Sequence, residues 1–104
     1  MTQSLDKLFK PRAIAIIGAT QDPRRPGGQA LKSLTTLGYA GEVYAVNPSY
    51  REIEGRACYA SVDELPVACE LAVIGVPAAQ VPSAIEACGR NGIPYVVILS
   101  AGFR

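Results

Sequence analysis

Residues 13–18 read Ala-Ile-Ala-Ile-Ile-Gly, an apolar run with no polar position until the glycine that ends it. The run is too short for a helix of its own, and it lacks the alternation that would turn one face to water. It must therefore be a strand covered on both sides, which is the condition of a strand inside a parallel sheet with helices on its two faces. Three further runs fit the same sheet: Glu42 to Asn47 before Pro48, Leu71 to Val76 before Pro77, and Tyr95 to Leu99 before Ser100.

The intervals carry helical spacing. Ala30, Leu31, Leu34 and Leu37 mark one helix over Gln29 to Leu37, and Val81, Ala84, Ile85 and Cys88 mark another over Ala79 to Cys88. A short helical pattern lies near Val62 to Leu65, with Ser61 and Glu64 spaced as a capping box. Ser4 to Lys10 places Leu5, Leu8 and Phe9 on one face before Pro11, as in a short packing helix. Strand alternating with helix predicts an α/β fold, a Rossmann-like doubly wound parallel sheet with strand order 3-2-1-4 that stops after the fourth strand. A chain of 104 residues accommodates this as one domain, residues 1–104.

Composition narrows the function. A net charge of +1 is no footprint for nucleic acid or an anionic membrane, and no apolar run reaches the ~18 residues of a membrane span. Cys58, Cys69 and Cys88 form no metal spacing, so three unpaired thiols in a reducing cytoplasm are expected. The chain has no histidine, which removes the commonest general base, metal ligand and phosphate acceptor. Binding is favoured over catalysis.

In a doubly wound sheet, ligands lie beyond the carboxyl ends of the strands, so four loops matter. The first, Gly-Ala-Thr-Gln-Asp-Pro-Arg-Arg-Pro-Gly-Gly from Gly18, leads into a helix whose N-terminal N–H groups attract an anion. It is not the dinucleotide fingerprint GxGxxG, because Thr20 and Pro23 stand where the second and third glycines belong. Arg24 and Arg25 lie within this wider loop, and guanidinium groups bind phosphate monoesters bidentately. The second loop begins at Asn47 and Pro48, where a nicotinamide-binding unit ends its strand with an acid for the ribose 2′-hydroxyl. Without that acid, a ribose carrying a phosphate is admitted more easily, and Pro48 with Tyr50 offers an apolar wall for adenine. The third loop, with Val76, Pro77 and Ala78, and the fourth, with Ser100, Ala101 and Gly102, place small residues at strand ends.

As an ordered series, the segments LDKLFKPRAIAIIGAT, GEVYAVNPSY, CYASVDELP, LAVIGVPA and VILSAGF resemble the CoA-binding domain at the N-terminus of nucleoside-diphosphate-forming (ADP-forming) acyl-CoA synthetases, relatives of the succinyl-CoA synthetase alpha subunit. The resemblance implies coenzyme A as ligand. It assigns Gly18, Ala19, Thr20 and Gln21, with Arg24 or Arg25, to the CoA phosphates, and Asn47, Pro48 and Tyr50 to the adenosine moiety. Val76, Pro77 and Ala78 are implied along the cofactor, and Ser100, Ala101 and Gly102 nearest the pantetheine arm. The succinyl-CoA synthetase relatives carry a lysine two residues beyond the second-strand proline, where this chain has Tyr50, so the resemblance does not carry over the lysine's 3′-phosphate contact, and Arg24, Arg25 and Arg51 are the candidates for that charge.

Those enzymes pass phosphate through a histidine in a later domain. The chain is accordingly expected to be an N-terminal fragment of a longer acid–CoA ligase that binds CoA without turning it over alone, with the downstream domains as partners and self-association through the fourth-strand side. An NADP-binding half of an oxidoreductase is the alternative ligand class, and a regulatory domain of a protein acetyltransferase the alternative host.

Overall fold

The computed structural model describes residues 12–99; the expected helix at Ser4 to Lys10 and the segment Ser100 to Gly102 lie outside them. Six strands form one sheet: β1 (Ala13–Ile17), β2 (Glu42–Val46), β3 (Glu52–Ile53), β4 (Arg56–Tyr59), β5 (Leu71–Ile74) and β6 (Tyr95–Ile98). Helix α1 (Pro26–Thr36) joins β1 to β2, and helix α2 (Val81–Arg90) joins β5 to β6. Every residue of β1 is buried, as its composition requires. Its side chains alternate between two cores. Ala13, Ala15 and Ile17 pack with Val81 and Cys88 of α2, whereas Ile14 and Ile16 pack with Leu31 of α1.

The strand order is β3-β4-β2-β1-β5-β6, which overturns the four-stranded 3-2-1-4 sheet. The segment expected outside β2, Leu71–Ile74, instead pairs with β1, Ile14 opposite Leu71 and Ile17 opposite Ile74. Beyond β2 lies β4, parallel to it through Ala45–Cys58 and Val46–Tyr59, and β6 pairs with β5. The sheet is also mixed, because β3 runs antiparallel to β4.

The physical reason is the short hairpin of β3 and β4, which has little sequence signal. Its strands have two and four residues and include Glu52 and Arg56. Its two-residue turn, Glu54–Gly55, has φ of 50° and 82°, the paired positive values of a type I′ turn, yet glutamate replaces the usual Asn or Asp. Once β4 occupies the outer flank of β2, β5 takes the free edge of β1. The first helix starts at Pro26, earlier than expected, with proline in its first turn where its missing N–H costs nothing. Val62–Glu64 is a single 3-10 turn, and Ser61 makes no side-chain capping bond.

Candidate functional site

The ends of β1 and β5 meet over glycines. Gly18 has φ +90°, a conformation that an L side chain rarely adopts, and a Cβ there would lie 2.5 Å from the Gly75 carbonyl oxygen. Gly27, in the first turn of α1, is held so close that a Cβ would lie 2.0 Å from the Gly18 carbonyl oxygen. The helix N-terminus is thereby set directly on the strand ends. Two glycines from the ends of one loop and a third, Gly75, distant in sequence, do by convergence what a local fingerprint does within a tight turn.

Beside this junction is an open cavity of about 580 Å³, bounded by the carboxyl ends of β1, β2 and β5 and by the first turns of α2. A volume of this size is ordinary for a small-molecule site. Of the sequence-predicted residues, Gly18, Arg25, Asn47, Pro48, Val76 and Pro77 line it. Among the described residues of the lining, Arg25 is the one charged side chain. It is also the N-cap of α1, so its guanidinium and the helix N-terminus offer positive potential to the same space.

The adjacent arginine is used differently. Arg24 donates through Nε and Nη2 to the two carboxylate oxygens of Asp22, at 3.0 and 3.1 Å, and its backbone N–H donates to the same carboxylate at 3.0 Å. These bonds hold the Asp22 carboxyl below the usual range. Arg24 does not line the cavity.

Ala19, Thr20 and Tyr50 support the loop rather than face the cavity. Ala19 is fully buried, and its carbonyl accepts from Asn47 Nδ2 at 2.9 Å. The backbone N–H groups of Gly18 and Ala19 both donate to the Val46 carbonyl, at 2.8 and 3.3 Å, so neither is aimed at a ligand. Thr20 is buried, and its hydroxyl lies 2.9 Å from that of Tyr50. Tyr50 packs on the α1-side core instead of lining the cavity beside Pro48. Thr20 and exposed Gln21 line a second cavity of about 480 Å³ on the α1 side. Ala78 begins a 3-10 turn outside the lining, and Ser100, Ala101 and Gly102 lie outside the described residues.

Sequence reasoning passed over Ser49, Ser61, Gly75 and the α2-side residues Gln80, Ser83, Ala84 and Ala87, all in the lining. Gln80, Ala84 and Ala87 stand at i, i+4 and i+7, a narrow stripe of one helix face. That spacing was the available signal.

Residues 12–104 match the family model described as CoA binding domain. The chain belongs to that family. It is the CoA-binding domain in the form found in ADP-forming acyl-CoA synthetases. The domain is 45% identical over 100 residues to the ADP-forming acetate–CoA ligase I of Archaeoglobus fulgidus, covering 96% of this chain and 14% of the ligase. It is 44% identical over 104 residues to the alpha subunit of the ADP-forming acetate–CoA ligase I of Pyrococcus furiosus, covering 96% and 22% respectively. The chain thus spans less than a quarter of either curated relative. Among solved structures, the dinucleotide-forming acetyl-coenzyme A synthetase 1 of Ca. Korarchaeum cryptofilum, in complex with phosphate and ADP, superposes with a TM-score of 0.89 at 40% identity, over 95% of this chain and 21% of that one.

Cys58, Cys69 and Cys88 of the CoA-binding domain are unpaired, and no group of three or more metal-ligating side chains occurs among the described residues. No described helix is long and apolar enough to cross a membrane.

Proposed function

We propose that this domain holds coenzyme A at the carboxyl edge of the sheet, with a phosphate of the cofactor at Arg25 and the α1 N-terminus. The observation that carries this reading is the single cation at the glycine junction in a lining that has no carboxylate among its described residues. Asn47 and Pro48 border the adenosine end, and Val76 and Pro77 give an apolar wall along the rest of the ligand. In the parent protein, the domain would present CoA to an acid–CoA ligase reaction that forms ADP, with the acid and phosphoryl-transfer steps supplied by other domains. The setting proposed is cytoplasmic, where the three thiols remain reduced.

Calorimetric titration of the chain with CoA, dephospho-CoA and NADP tests the ligand assignment. CoA is expected to bind more tightly than dephospho-CoA, and preference for NADP would overturn the reading.

We further propose self-association through the β6 side. Val96, Val97 and Ile98 are 36%, 41% and 42% exposed, and successive strand residues point to opposite faces, so β6, the outermost strand among the described residues, carries exposed apolar side chains on both faces. Light scattering should show mass rising with concentration; a monodisperse monomer throughout would refute it.

A further inference from the structure

We infer that Asn47 is a positioning residue for the loop that carries Arg25, and that a carboxamide stands there because the site needs one acceptor and one donor on the same planar group. Its Oδ1 accepts from the Ser49 backbone N–H at 2.8 Å, and its Nδ2 donates to the Ala19 carbonyl at 2.9 Å. A carboxylate preserves the first bond and sets an anionic oxygen against a carbonyl oxygen in the second. The backbone of Asn47 is fixed too: its N–H donates to the Tyr59 carbonyl at 2.9 Å, and its carbonyl accepts from the Tyr50 N–H at 3.3 Å and the Cys58 thiol at 3.5 Å. One residue therefore joins the ends of β2 and β4 to the loop after β1.

The contact propagates to the cavity. Ala19 has no exposed surface, so loss of the Asn47 donor removes a partner from a buried carbonyl. From Ala19 the chain continues through Thr20, whose hydroxyl accepts from the Asp22 N–H, to Asp22, whose carbonyl accepts from the Arg25 N–H. Holding Ala19 thus sets the path that ends at the N-cap of α1. The missing acid after β2 has a structural cause independent of ribose recognition: an acid would repel the loop.

The consequence for affinity rests on the CoA reading, whereas the consequence for loop order does not. The test compares Asn47→Asp and Asn47→Ala in the whole chain by amide hydrogen exchange at residues 19–25 without ligand and by CoA titration, each from pH 8 to pH 4.5. The amides of β1 and β5 serve as the internal measure of folding. At pH 8 both variants should lose loop protection by ~10-fold and bind CoA ~10-fold more weakly. On acidification, the introduced carboxyl gains a proton that it can donate to the Ala19 carbonyl, so Asn47→Asp should return toward wild type while Asn47→Ala does not. Referring one variant to the other at each pH cancels titration of the cofactor phosphates. The ionisable neighbours on the adjoining elements are Asp22, held low by Arg24, Cys58, pushed up by burial, Arg25, Tyr50 and Tyr59. Wild-type loop protection at pH 8 in Asn47→Asp, or the same pH course in both variants, would overturn the inference. Failure of the wild-type chain to bind CoA would overturn the ligand reading instead, and the exchange measurement would still decide the role of Asn47.

Discussion

The two walls of the cavity are built on different principles. On the β2 side the wall is laced by polar contacts: Gly18 and Ala19 to Val46, Asn47 to Ala19 and Tyr59, and Thr20 to Tyr50. On the β5 side the backbone is anchored by Gly75 N–H to Ile17 and by Leu99 N–H to Ile74, both at 2.8 Å, and Val76, Pro77, Ala84 and Ala87 present small apolar side chains. The first wall fixes direction, because hydrogen bonds are geometrically selective; the second supplies contact area and shape. Under the reading proposed above, the charged end of the ligand would lie at Arg25, the one charged residue among the described lining residues, and an apolar stretch along the second wall.

The largest effect should come where the walls meet. Gly27→Ala would drive a Cβ into the Gly18 carbonyl and is expected to cost about 3 kcal/mol or more, separating the α1 N-terminus from both strand ends. Thermal unfolding should show a midpoint lowered by roughly 12 °C or more; an unchanged midpoint would refute the close approach.

Next is the division of labour between adjacent arginines. Arg25→Ala should weaken CoA by about 1.5 to 3 kcal/mol and dephospho-CoA less if the contact is to the 3′-phosphate, whereas Arg24→Ala should leave affinity within about 0.5 kcal/mol. Calorimetry on both variants checks this, and equal losses would erase the distinction drawn from the Asp22–Arg24 pair.

A smaller loss is expected on the polar wall alone. Tyr50→Phe removes the hydroxyl facing Thr20 and should cost about 1 kcal/mol in chemical denaturation, with the m-value unchanged. The smallest effect concerns a brace between the walls. Asp63, in the 3-10 turn after β4, accepts from Arg90 at 3.0 Å and from Asn91 at 2.8 Å near the end of α2, and the Arg90 bond holds its carboxyl below the usual range. A depressed carboxyl stabilises the fold above its unfolded value of 3.8, and that contribution is lost as pH falls through the folded value. Asp63→Asn should therefore flatten the acid limb of the stability profile slightly, because the pair is solvent-exposed. A limb as steep as in the wild type would remove the brace.

Gly18, Asn47, Pro48, Val76 and Pro77 of the cavity lining could be picked out from the sequence because their signals are local. A glycine that ends an apolar run and a proline after a strand each state their conformation through their own φ preferences or donor count. The role of Tyr50 was not legible, since the direction of its ring is set by a hydroxyl thirty residues away at Thr20. The α2 contribution was obscured for a different reason: Ala84 belongs both to the core-facing spacing and to the cavity stripe.

The sequence by itself determined four of the six strands, β1, β2, β5 and β6, with α1 and α2 between them, the burial of β1 on two faces, and the series of loop motifs that marks a CoA-binding domain. Only the tertiary structure decided the order of the strands, because the hairpin of β3 and β4 is too short and polar to announce itself and gains its place by pairing with β2. Only the fold, too, brought Gly18, Gly27 and Gly75 into contact and gave Arg25 to the cavity and Arg24 to Asp22. Strand order and side-chain direction depend on partners distant along the chain or around a loop, and a residue's own chemistry does not name its partner.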